Sequence, residues 1–170
     1  MRVAMDADCL IKLTKGGAKE DVSTCVEITI PEAVEVEAVD QGKTGSYPDS
    51  LEIERNIRAG KIRVEAACET EEVRLIAETL RLRGGEVKVY TMFHGGEFLA
   101  IASDDQKFMR KMEEIDVPCI TPTALIIYTW RRGAIDGERA SKLLQRIRAY
   151  VSEEEYALSK LMIEKGGEPL

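Results

Sequence analysis

Five successive apolar residues, Phe98-Leu99-Ala100-Ile101-Ala102, run straight into the polar triplet Ser103-Asp104-Asp105. A strand with one wet face alternates apolar and polar side chains, so an unbroken run suits a strand covered on both faces, in the middle of a parallel sheet flanked by helices. The opening Arg2-Val3-Ala4-Met5-Asp6 repeats the pattern and again stops at an aspartate. Parallel strands deliver their last residues to the same edge of the sheet, where ligands of such folds collect. Asp6 and Asp105 are therefore expected at one common edge.

The rest of the chain alternates in the way such a sheet needs. Cys9 to Leu13 has helical apolar spacing and is followed by the glycine stop Gly16-Gly17. Val26 to Ile30 is β-branched and strand-like. Pro31 suits a first helical position, and a helix is expected from Glu32 to a stop at Gly42. Lys43 to Ser50 reads as a turn-rich loop, Leu51 to Gly60 as a short helix and Lys61 to Ala67 as a strand. Thr70, with Glu71 and Glu72 behind it, predicts a helix cap and a helix running to Arg83. Gly85 to Gly96 fits either a helix or a strand. After Asp105 come an amphipathic helix (106–115), a short strand (117–120), an apolar helix from Ala124 capped by Thr123, and a helix after the Asp136-Gly137 turn. Ser152 and Glu155 have the spacing of a capping box for a last helix. This order predicts a three-layer α/β/α fold around a mainly parallel sheet. Residues 1–150 are expected to form the domain and 151–170 a helix packed on it.

Composition narrows the chemistry. Four cysteines without a C-x-x-C pair support neither a zinc knuckle nor a redox motif, and the single His94, in a Gly-rich turn, leaves histidine-based nucleophile schemes one candidate base. A net charge of −7 argues against a protein that coats nucleic acid electrostatically. It is compatible with carboxylates that hold a metal ion, whose charge offsets theirs locally. No apolar run approaches the ~18 residues of a membrane span, and the N-terminus lacks the unbroken apolar region of a signal peptide, so a cytoplasmic protein without membrane contact is expected.

Two strand-end carboxylates at one edge can share a cation. Mg²⁺ and Mn²⁺ prefer hard oxygen ligands and keep waters, one of which can attack a phosphodiester while the metal takes up charge on the phosphate. Strand-end aspartates also serve as turn formers and helix caps, and spacing alone does not separate these roles.

The acidic segments, taken together, resemble the PIN-domain family in order and spacing. The carriers are Val3-Ala-Met-Asp6-Ala-Asp8 with the helix that follows, Pro31-Glu-Ala-Val34-Glu-Val-Glu37, Gly85-Glu86, Ser103-Asp104-Asp105 with Arg110 beyond it, Val117, and Gly133-Ala-Ile135. The resemblance implies a PIN-like fold and a site made from Asp6, Glu37, Glu86 and Asp105, with Ser103 holding carboxylates by hydrogen bonding. Asp8 stands where the family usually has a small polar residue and is a further supporting group. Asp104 competes with Asp105 as ligand, Glu35 with Glu37, and Glu97 with Glu86. The resemblance further implies a Mg²⁺- or Mn²⁺-dependent endoribonuclease, such as the toxin of a toxin–antitoxin pair, with RNA as substrate, an antitoxin protein as partner and a homodimer as assembly. Trp130, with Tyr128 and Ile127, is a candidate for the dimer contact. A PIN-fold module that binds RNA or protein without cutting is the alternative. A phosphoryl-transfer enzyme is disfavoured because no Gly-rich phosphate loop is present. Lys12, Lys107 and Arg110 follow the two aspartates on their helices. They could flank the site and meet a phosphate backbone, although solvated helix faces carry such residues too.

Overall fold

β1 (Arg2–Met5) and β4 (Ala100–Ala102) pair in parallel at the centre of a five-stranded sheet, with Val3 opposite Ala100 and Met5 opposite Ala102. The computed structural model describes residues 1–41 and 48–166. β2 (Glu27–Pro31) and β3 (Ile62–Glu65) continue the sheet on one side and β5 (Cys119–Ile120) on the other, giving the order β3-β2-β1-β4-β5, all parallel. The chain starts in the middle, moves outward to β3, and crosses back to β4. The direction of travel therefore reverses between β1 and β4, and a crevice opens beyond their carboxyl ends.

Both central strands are sealed on both faces: Val3, Ala4, Met5, Ile101 and Ala102 are fully buried. The strand is shorter than the apolar run that announced it. Leu99 is 65% exposed, and Phe98 lies outside β4 with the Arg2 guanidinium stacked 4.3 Å over its ring.

Among the described residues ten helices flank the sheet. α1 (Ala7–Lys15) ends where Gly16 N–H donates to the Lys12 carbonyl and Gly17 takes φ 66. A Cβ at position 16 would lie 2.9 Å from Cβ of Ile147, so this glycine lets two helices touch. α2 (Lys19–Val22), four residues long, is too short to show a helical apolar period in the sequence. It buries Lys19, whose ammonium meets Glu20 at 2.9 Å and Glu52 at 3.2 Å. α3 (Glu32–Glu35) starts one residue after Pro31, which is its N-cap, and widens into a π-helical turn over Val36–Gln41. The expected stop at Gly42 and the loop residues 43–47 lie outside the described residues. Pro48 to Ser50 are not loop but the first turn of α4 (Pro48–Arg58).

Thr70 does cap α5 (Glu71–Thr79), but the helix stops short of Arg83 because Arg81 turns to φ 53 and Leu82 N–H closes on the Ala77 carbonyl. The ambiguous segment is helical, α6 (Gly85–Gly95), and His94 sits in its last turn rather than in a loop. α7 (Gln106–Glu113) follows β4. α8 (Pro122–Arg131) is capped by Thr121 with Pro122 in the first turn, a better start than Thr123, which is buried instead. α9 (Gly137–Ile147) passes through a short 3₁₀ turn to α10 (Glu153–Glu164). Only half of the expected capping box forms. Ser152 Oγ accepts from Glu155 N–H, but the Glu155 carboxylate leaves the helix end and accepts from Thr123 N–H (3.1 Å) and Oγ1–H (2.8 Å). With the Ser159 hydroxyl donating to Thr123 Oγ1 at 2.8 Å, α10 is tied to α8.

Candidate active site

The ends of β1 and β4 are fastened to each other, since Asp6 N–H donates to the Ala102 carbonyl at 3.0 Å. Each strand then turns at its aspartate into a helix. Asp6 Oδ1 accepts from Cys9 N–H at 2.7 Å and caps α1, and Asp105 Oδ1 accepts from Lys107 N–H (2.8 Å) and Phe108 N–H (3.2 Å) and caps α7. The capping role and the cleft role left open by spacing are thus both present in the same side chains. Ser103, fully buried between them, hydrogen-bonds the Asp6 carboxylate and accepts from Asp105 N–H at 3.2 Å.

Asp6, Asp8, Glu37, Glu86 and Asp105 line one cleft of about 170 Å³ together with Ala7, Val34, Arg83, Gly85 and Phe108. Glu37 reaches it from the π-helical turn, with its Oε2 only 3.6 Å from where a Cβ on Gly85 would stand. Glu35 and Glu97 are not among its lining residues, and Glu97 lies in the turn three residues before β4, at the end opposite the one that leads to Asp105. Glu86 is partly engaged: its Oε2 accepts from Arg83 N–H at 3.0 Å and meets Lys111 Nζ at 3.1 Å.

Several expected site residues stand elsewhere. Asp104 does not line the cleft: it forms an ion pair with Lys12, and its second oxygen, Oδ1, is buried with no hydrogen-bond partner among the described residues. Arg110 faces a separate groove of about 1090 Å³ between α7, β5, α8 and α10. That groove is the larger cavity, yet the five carboxylates lie in the smaller one. Lys107 is exposed on the first turn of α7 and does not line the cleft. Trp130 is half-buried and packs against the chain's own core. Arg83, which the sequence reading passed over, does line the cleft; its signal was its place directly before Gly84-Gly85-Glu86.

The electrostatics follow first from burial. Burial pushes the Asp6 carboxyl up to about 7 from 3.8, the bonds from Ser103 and Cys9 N–H oppose this, and Asp104 and Asp8 add to it. Glu37 is also raised, by desolvation and then by Asp8. Burial holds the Cys9 thiol well above its usual range and pushes Cys119 to about 11, so neither supplies a thiolate nucleophile.

The donors suit a divalent cation in chemical type. They are carboxylate oxygens, and burial first, then the Asp104 and Asp8 charges, disfavours the charge on Asp6. Among the described residues no three of them converge into a ready cage.

The helices and the all-parallel sheet make a three-layer α/β/α fold, with an acidic cleft at the reversal between the two central strands. Residues 2–162 match the family model DUF3368, described as a PIN domain, and the chain belongs to the PIN-domain family. PIN domains are generally nucleases and typically use divalent metals. No curated protein and no solved structure matches the chain. Among the described residues no helix is long and apolar enough to cross a membrane.

Proposed function

We propose that this chain is a Mg²⁺- or Mn²⁺-dependent endoribonuclease that hydrolyses RNA phosphodiester bonds. The observation that carries the reading is the meeting of five carboxylates from four segments in one cleft beyond the ends of β1 and β4. Asp6 and Asp105 are the principal metal ligands, each with a carboxylate oxygen left over from helix capping. Glu37 and Glu86 support them or orient water, and Asp8 adds negative charge at the rim. Ser103 sets the direction of the Asp6 carboxylate and fixes the backbone before Asp105. When bound, the cation activates water and offsets charge developing on the phosphate. Asp104 is left out of the ligand set because Lys12 engages it. The toxin role, an antitoxin partner and self-pairing rest on the family resemblance.

The test is incubation of the protein and its Asp6→Asn variant with a mixed single-stranded RNA pool under Mn²⁺, Mg²⁺ or chelator, followed by mapping of cut ends. Metal-dependent cuts that vanish in the variant are expected. A folded protein whose melting temperature rises with Mn²⁺ but which leaves every RNA intact would instead be a PIN-fold binding module.

A further inference from the structure

The cleft is acidic, and its presumed visitor is a polyanion. Even after a divalent ion contributes its two charges, five carboxylates outweigh the single guanidinium among the lining residues. A phosphate entering such a site needs a positive group to turn towards.

The cations near the cleft are mostly committed elsewhere. Lys12 is held by Asp104. Lys111 is held by Glu86 and by the Arg81 carbonyl at 3.2 Å. Arg83 differs from both: it lines the cleft, and its guanidinium makes no hydrogen bond or ion pair among the described residues. Its backbone is fixed all the same. Arg81 at φ 53 and Gly84 at φ 52 fold the α5–α6 connection back on itself. Within that turn Arg83 N–H donates to Glu86 Oε2 and Glu86 N–H donates to the Arg83 carbonyl, both at 3.0 Å. The residue is therefore anchored to a cleft carboxylate through its main chain while its side chain stays available. A guanidinium presents a planar fork of donors that matches two oxygens of one phosphate.

We propose that Arg83 grips a backbone phosphate of the RNA at the mouth of the carboxylate cleft, a contact that rests on the nuclease reading above. The grip acts on binding and register and carries no base preference.

The test measures binding of a short single-stranded RNA in Ca²⁺ over a range of salt, and cleavage in Mn²⁺, for the wild type, Arg83→Ala and Arg83→Lys. Arg83→Ala is expected to bind roughly tenfold more weakly and to show a salt slope smaller by about one phosphate contact, with the loss in cleavage appearing mainly in KM. Arg83→Lys should restore the salt slope but only part of the affinity, because the fork is gone. The Mn²⁺-induced rise in melting temperature should be the same in all three proteins. Wild-type binding with an unchanged affinity and slope in Arg83→Ala would overturn the grip and leave the nuclease reading standing. A wild type that neither binds nor cuts RNA would overturn both.

Discussion

Asp6 and Ser103 stand at the ends of neighbouring parallel strands, and the buried Ser103 hydroxyl hydrogen-bonds the Asp6 carboxylate while accepting from Asp105 N–H. One hydroxyl thus links both strand-end aspartates. Ser103→Ala removes the bond that most opposes the rise in the Asp6 pKa, so Asp6 should titrate still higher, and stability should fall by about 1–2 kcal/mol. Carboxyl-carbon NMR titration and urea unfolding read the two effects. An unshifted Asp6 in the variant would mean that the serine only packs.

Asp6 also sets a pH dependence for the metal-free protein. Its carboxyl titrates near 7 in the fold and near 3.8 when unfolded, so the folded state holds the proton more tightly. That contribution to stability is fully present below pH 3.8 and is lost as pH rises through 7. The loss is at most about 4 kcal/mol. Asp6→Asn keeps a good capping side chain and removes the titration, so the difference between wild type and variant should slope across this window in chelator. Adding Mn²⁺ should restore wild-type stability most at the alkaline end. Parallel profiles for the two proteins would rule out Asp6 as the source.

Lys12 was a candidate for RNA contact, but its ammonium serves the buried Asp104. Lys12→Met should leave that carboxylate without its cation and destabilise the fold by about 2–4 kcal/mol. Changing Asp104 to Leu in the same protein should recover much of the loss. The salt slope of RNA binding should not move; a smaller slope would return Lys12 to the substrate-binding set.

Glu155→Ala takes the acceptor from Thr123 N–H and Oγ1–H at the α8–α10 junction, a cost of about 1–3 kcal/mol. Hydrogen exchange should quicken in α10 and at Thr123 while the amides of β1 and β4 keep their protection. Uniform acceleration across the molecule would show that α10 does not open as a separate unit.

The fold was well signposted wherever a local pattern is decisive. Ala100 to Ala102 gives a doubly buried strand because it has no polar side chain to turn outward. Asp6 and Asp105 were legible as the residues at which those strands end. Less legible were contacts between distant segments. The pairing of Lys12 with Asp104 joins positions 92 residues apart, and the diversion of Glu155 from its own helix cap to Thr123 needs α8 in place first. The π-helical turn that carries Glu37 to the cleft also has no clear signature in apolar spacing.

What the sequence determined by itself was the alternation of strands and helices, the parallel sheet, and the two aspartates at its carboxyl edge. Backbone hydrogen bonding and apolar burial act over a few residues and leave a readable period. The tertiary structure decided which charges meet: Glu37 and Glu86 line the cleft, Asp104 faces Lys12, and the Arg83 guanidinium has no partner among the described residues. Ion pairing and desolvation depend on distance in space, and a list of neighbours along the chain does not contain that distance.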